Sequence, residues 1–177
     1  MQYRRLGKTN LRVSALCLGT MMFGDQTDSM ESMRIVDHAR AKGVNFIDTA
    51  DVYSLGKSEE ITGNAIRSDR DHWILATKIG NKMAPDSALP NHERYSRKWV
   101  MQECDASLKR LGTDYIDIYY LHRDFEEDAL DEAVGALGDL IRAGKIRYFG
   151  VSNFRAWRIS EVIAECKRQG VPLPAIC

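Results

Sequence analysis

The chain has 177 residues, 44% of them hydrophobic and 28% charged, the balance of a globular protein able to bury a substantial core, which excludes intrinsic disorder. Lysine plus arginine and aspartate plus glutamate each number 25, for a net charge of zero, so no broad attraction to nucleic acid or to an anionic membrane is expected. A small, locally recognised ligand fits that balance better.

The opening Met1-Gln2-Tyr3-Arg4-Arg5 lacks the apolar core of a secretory signal, and the longest uncharged stretch, Val13 to Gly24, is too short to cross a bilayer. A cytoplasmic location is expected. Apolar and β-branched runs that read as buried strands begin near Val13, Val44, Trp73, Tyr115, Ile146 and Leu173, with helical patterns between them. Val44-Asn45-Phe46-Ile47 and Trp73-Ile74-Leu75-Ala76 have the continuous apolar character of parallel strands covered by helices. The 81–97 stretch, with Pro85 and Pro90, reads as one long loop placed to reach over a cleft as a lid. Three later helices show a single apolar face each: Val100, Cys104, Leu108 and Leu111; then Leu130, Ala133, Val134, Leu137 and Ile141; then Ile159, Val162, Ile163 and Cys166. Four helices stop at a glycine, at Gly43, Gly112, Gly144 and Gly170, where a left-handed turn ends a helix cheaply.

The four cysteines (Cys17, Cys104, Cys166, Cys177) are widely spaced and read as buried, reduced thiols rather than a disulfide framework. The histidines (His38, His72, His92, His122) form no His-Glu-x-x-His spacing, and no metal is expected.

A strand–helix repeat fits either an eight-stranded barrel or an open doubly wound sheet. Length alone favours the open sheet, since a complete barrel takes about 250 residues. Five units and the opening of a sixth strand, Leu173-Pro174-Ala175-Ile176-Cys177, are present, and an open sheet would finish on a helix rather than inside a strand. The expectation is therefore a truncated barrel.

The first five runs also end in a polar residue: Thr20, Asp48, Lys78, His122 and Asn153 in turn. In a βα barrel the carboxyl ends of the strands share one rim, where active sites are built. Singly, each residue has a plain structural reading. Asp48 and Lys78 can form a buried salt bridge, His122 a satisfied core histidine, Asn153 with Ser152 a helix cap before Phe154, Asp117 a buried structural carboxylate, and Tyr53 a surface loop side chain. Five polar groups delivered to one rim by successive strands are hard to explain as packing, because an unpartnered buried charge costs several kcal/mol by rough estimate. Together they make a tunable acid: a tyrosine, whose unperturbed pKa is about 10, beside a lysine ammonium that favours the phenolate, an aspartate that fixes the lysine, and a histidine able to donate a hydrogen bond to a bound carbonyl oxygen. No Gly-x-Ser-x-Gly elbow is present and no cysteine sits by a strand-end histidine to supply a nucleophile, so proton delivery coupled to an external reductant is the better reading.

Four ordered motifs carry a resemblance: Gly43-Val44-Asn45-Phe46-Ile47-Asp48-Thr49-Ala50-Asp51-Val52-Tyr53, Ala76-Thr77-Lys78, Asp114-Tyr115-Ile116-Asp117-Ile118-Tyr119-Tyr120-Leu121-His122 and Gly150-Val151-Ser152-Asn153-Phe154. Together they resemble the aldo-keto reductase family across the whole chain, in its bacterial and fungal members and potassium-channel β-subunits. The resemblance implies a (β/α)8 TIM barrel, of which residues 1–177 form a single partial domain, with an N-terminal hairpin at about 1–13 drawn from Tyr3-Arg4-Arg5-Leu6-Gly7 and a first strand at Leu18-Gly19-Thr20-Met21. It implies a catalytic tetrad of Asp48, Tyr53, Lys78 and His122, with Tyr53 as general acid, and a small-molecule aldehyde or ketone as substrate. It also implies NADP(H) as cofactor, bound without a Gly-x-Gly-x-x-Gly motif, with Ser152 and Asn153 at the nicotinamide carboxamide, Thr20 and Met21 beside the nicotinamide ribose and the hydride-transfer centre, and Asp48 as a further cofactor-binding residue. The family's basic residues for the adenosine 2′-phosphate belong to strands seven and eight, which this sequence does not include. A nucleotide-sensing accessory subunit and an inactive truncated product are the alternatives that the same residues admit.

Overall fold

The computed structural model describes residues 1–83 and 91–177. Of the loop expected at 81–97, residues 84–90 with Pro85 and Pro90 lie outside the described residues, and Arg97 belongs to a helix. β1 (Tyr3–Arg5) and β2 (Arg12–Ser14) form an antiparallel hairpin with Tyr3 opposite Ser14. The strand expected from Val13 is thereby split: Val13 belongs to the hairpin, and the first parallel strand is the two-residue β3 (Leu18–Gly19). Then follow α1 (Ser29–Ala41), β4 (Phe46–Asp48), α2 (Lys57–Ile66), β5 (Ile74–Ile79), α3 (Arg97–Leu111), β6 (Ile116–Leu121), α4 (Leu130–Arg142), β7 (Ile146–Val151) and α5 (Ala156–Gln169).

β3 to β7 make one parallel sheet whose spatial order equals the chain order. A doubly wound sheet reverses its order at a switch point. This one does not, so the barrel reading holds and the length argument for an open sheet is overruled. The sixth run forms only an isolated parallel bridge, Gly150 with Ile176, supported by bonds from Ala175 N to Phe149 O at 2.8 Å and from Val151 N to Ile176 O at 3.1 Å.

Helix ends follow local chemistry. Asp28 caps α1 by accepting from Glu31 N at 2.9 Å, and Ser96 caps α3 by accepting from Trp99 N. The four expected glycine stops all adopt left-handed backbone, with φ of 82° at Gly43, 63° at Gly112, 73° at Gly144 and 66° at Gly170, which a side chain would disfavour.

Strand alternation sorts the core into two. Residues Ile47, Leu75, Ile79, Tyr119, Leu121, Phe149 and Val151 belong to the large cluster shared with the helices. Phe46, Ala76, Ile118 and Tyr120, on the opposite face, form a smaller cluster with Leu6 and Val13 of the hairpin. Because side chains alternate with period two, Asp48, Lys78 and His122 continue this second face towards the carboxyl ends of β4, β5 and β6.

Two of the four cysteines depart from expectation. Cys104 and Cys166 are buried, but Cys17 and Cys177 are exposed, because Cys17 falls in the connection between hairpin and β3 and Cys177 follows the isolated bridge; all four are free. No helix of the described residues is long and apolar enough to cross a membrane.

Candidate active site

β4 ends on Asp48, and the chain then runs through Thr49-Ala50-Asp51 into a tight turn, Tyr53–Gly56. This turn sets Tyr53 above the end of the neighbouring strand. Lys78, 7% exposed, reaches from β5. Its ammonium has three protons and no lone pair, and each proton finds an acceptor: Asp48 Oδ1, Thr49 O at 2.8 Å and Tyr53 Oη at 3.2 Å. Since Lys78 donates to Oη, the phenol keeps its own proton free to donate elsewhere.

His122, 8% exposed, follows β6. Its ring meets that of Tyr53 edge-on, with centroids 5.8 Å apart and planes at 82°. Its Nδ1 is buried without a partner, which leaves Nε2 as the nitrogen that faces the cleft. Burial above all, then the positive charges of Lys78 and Arg123, push the imidazole down to about 4. At neutral pH it is therefore uncharged and carries one N–H. Burial also raises the Asp48 carboxyl above the ordinary aspartate range, an effect that Lys78 opposes by charge and by hydrogen bond.

The remaining expected residues divide. Thr20 is 1% exposed, and its hydroxyl is engaged by Asp48 O at 3.1 Å and Ser58 Oγ at 2.9 Å, so its side chain ties elements together inside the protein. Met21 is exposed and lines, with Met22, Val52, Tyr53 and Leu55, a cavity of about 490 Å3. Asn153 has left-handed backbone, φ 56°, and its amide donates to His122 O at 2.9 Å and to Ser152 Oγ at 3.0 Å. The helix-cap reading of Asn153 fails, because α5 begins at Ala156 with Arg155 at the cap position. Asp117 is structural as expected: its Oδ2 accepts from Arg70 Nη2 at 2.7 Å and from Leu75 N at 3.0 Å.

Sequence reading missed the layer behind the site. Ser58 Oγ donates to Thr20 O at 2.7 Å and contacts Thr49 Oγ1 at 3.0 Å, pinning the ends of β3 and β4 to the first turn of α2. Glu59, on the next residue, is fully buried. The available signal was Gly56-Lys57-Ser58-Glu59, a glycine opening a polar first helical turn directly after Tyr53. Among the described residues, no group of three or more His, Cys, Asp or Glu is arranged to hold a metal ion.

The family model described as Aldo/keto reductase family matches residues 15–176. The chain is 37% identical to the uncharacterized oxidoreductase YrpG of Bacillus subtilis, over 96% of this chain and 54% of that protein. It is 38% identical to a probable voltage-gated potassium channel subunit beta of Arabidopsis thaliana, over 99% of this chain and 54% of the other. Among solved structures it is similar to the holo form of aldo-keto reductase AKR11C1 from Bacillus halodurans, with TM-score 0.85 and 37% identity over 93% of this chain and 54% of that one. The chain thus spans about half the length of these relatives.

Proposed function

The chain belongs to the aldo/keto reductase family, and from that premise we propose that it carries the proton-transfer site of an NADP(H)-dependent reductase of aldehydes and ketones. The observation that carries this reading is the Lys78 ammonium with all three donors committed, one of them to Tyr53 Oη at 3.2 Å.

When bound, reduced nicotinamide supplies a hydride to the carbonyl carbon. Tyr53 Oη supplies the proton to the carbonyl oxygen, and the lone pairs left on Oη remain against the Lys78 ammonium, which stabilises the phenolate as it forms. Asp48 holds that ammonium in place. His122, uncharged with one N–H, orients the carbonyl oxygen by donating to it and does not compete with Tyr53 as an acid. The rim beside Tyr53 offers the apolar side chains of Met21, Met22, Val52 and Leu55 together with the polar Asp25 and Gln26, which suits a carbonyl with an apolar or aromatic substituent that also carries a polar group.

Ser152 and Asn153 have the polarity that a primary carboxamide needs. Both amide protons of Asn153 are spent inside the protein, on His122 O and Ser152 Oγ, so its Oδ1 is left to accept. Ser152 Oγ accepts from Asn153, so its O–H is left to donate. An acceptor beside a donor matches the NH2 and C=O of a nicotinamide carboxamide.

NADPH consumption at 340 nm with an activated aromatic aldehyde tests this. Tyr53→Phe removes only the phenol oxygen and is expected to lower the rate by roughly 10²–10⁴; near-normal turnover in the variant would sink the assignment. The identity to a channel β-subunit favours a second reading, a nucleotide-sensing accessory protein, which would show cofactor binding with very slow turnover.

A further inference from the structure

Three consecutive residues after Tyr53 have positive φ: Ser54 at 48°, Leu55 at 54° and Gly56 at 87°. For serine and leucine such backbone costs about 1–3 kcal/mol each and persists only where the surroundings dictate it. Two contacts do so. Ser54 Oγ donates to Phe23 O at 3.0 Å. Behind the turn, the Arg110 side chain from α3 lies so close to Gly56 that a Cβ there would stand 2.7 Å from Arg110 Cδ and 3.1 Å from its Nε.

Arg110 is itself held on two sides. Its Nε donates to Glu59 Oε2 at 2.6 Å, and its Nη2 donates to Glu103 and to Ser107 Oγ at 3.1 Å. Glu59, 0% exposed, uses its other oxygen to accept from Thr77 Oγ1 at 2.6 Å. Thr77 immediately precedes Lys78 and faces the helices, while Lys78 faces the cleft. One continuous set of contacts therefore runs from Gly56, behind Tyr53, through Arg110 and Glu59, to the strand residue beside Lys78. A mere anchor here would be met as well by apolar side chains, because a buried ion pair adds little net stability over packed hydrophobic groups of similar volume. Directed hydrogen bonds fix geometry in a way that apolar contacts do not.

Building on the reductase reading above, we propose that Arg110 and Glu59 are positioning residues that hold the Tyr53 turn in register with Lys78 and so set the 3.2 Å separation of Oη and Nζ. Neither touches the reacting atoms; both act through the turn and the strand.

Arg110→Met removes the charge and the forked donors, whereas Gly56→Ala keeps all three charged groups but strains the φ 87° turn and sets a Cβ 2.7 Å from Arg110 Cδ, so the turn or the Arg110 side chain must give way. Steady-state carbonyl reduction by NADPH should show kcat lowered roughly 10- to 100-fold in both variants, as an ångström-scale misplacement of a reacting group does. KM for the carbonyl should stay within about twofold, the pattern of an interaction made in the transition state only. Crystal structures of the variants should show the Tyr53 Oη and Lys78 Nζ contact broken. Wild-type kcat in a cooperatively melting Arg110→Met protein, with that contact intact, would overturn the proposal. If Arg110→Met does not fold, Gly56→Ala decides by the same two readouts. If the wild-type protein reduces no carbonyl, the reductase reading fails, and the Oη–Nζ separation in the variants still decides the positioning role.

Discussion

A single imidazole illustrates how much a residue's surroundings decide. His122 is one of four histidines, and its sequence position at a strand end marks it for the cleft. Its protonation state follows from burial beside Lys78 and Arg123, which push it down to about 4. The unfolded chain takes up this proton near pH 6.5, the folded chain only near pH 4. Between those values the unfolded state binds more protons, so stability falls on acidification, by at most about 1.4 kcal/mol per pH unit from this group. Urea melts from pH 7 to pH 4.5 should therefore show a steeper acid loss in the wild type than in His122→Gln, and parallel curves would place the imidazole in a more solvated setting. Thr20 shows the converse. The family resemblance implied a place for it beside the nicotinamide ribose, and its hydroxyl is held by Asp48 O and Ser58, partners 28 and 38 residues away that no local pattern exposes.

Helices were legible as apolar faces and glycine stops, because both signals are local. α2 was expected only from the alternation, with no apolar face or glycine stop of its own, yet it packs closely on its neighbour: a Cβ on Gly63 would lie 2.1 Å from the carbonyl oxygen of Leu111 at the end of α3. An exposed helical Gly→Ala change stabilises by about 1 kcal/mol through propensity. Here the obstacle is backbone that cannot rotate away, and overpacking of this kind costs about 1–3 kcal/mol. Gly63→Ala is expected to lower the denaturation midpoint, whereas Asn64→Ala, one residue on and exposed, should stay within about 0.5 kcal/mol of wild type. A stabilised Gly63→Ala protein would mean that α2 and α3 sit farther apart than the structure places them. At the strands, periodicity alone ran β2 and β3 together, because Val13 and Leu18 belong to one apolar run that the fold divides between a hairpin and a sheet; the family resemblance, with a hairpin at about 1–13 and a first strand at Leu18, separated them.

For the molecule as a whole, strand order decided what length could not. A sheet ordered as the chain is written has no switch point, so its ligand site falls on the rim at the strand ends rather than in a crevice between two halves. On the proposed function the rim would supply the proton chemistry and the carboxamide-facing pair, whereas the 2′-phosphate contacts implied by the family resemblance belong to later strands. The 177 residues by themselves are therefore expected to bind NADPH at least about tenfold more weakly than a chimera completed with the C-terminal half of a family member, since a lost charged contact to a phosphate is worth about 1.5–3 kcal/mol. Equal affinities in a titration of the two proteins would show that the first five units hold the cofactor unaided.

The amino-acid sequence by itself determined the strand–helix alternation, the helix stops and the identity of the polar residues at each strand end, because periodicity, left-handed glycines and residue chemistry are properties of the chain over a few residues. Tertiary structure alone decided that Thr77 turns its hydroxyl to a buried Glu59 and that Arg110 stands behind the strained turn. Those facts depend on inter-strand register and on which helix packs over which strand. Both are set by contacts between residues dozens of positions apart, whose energies no local window contains.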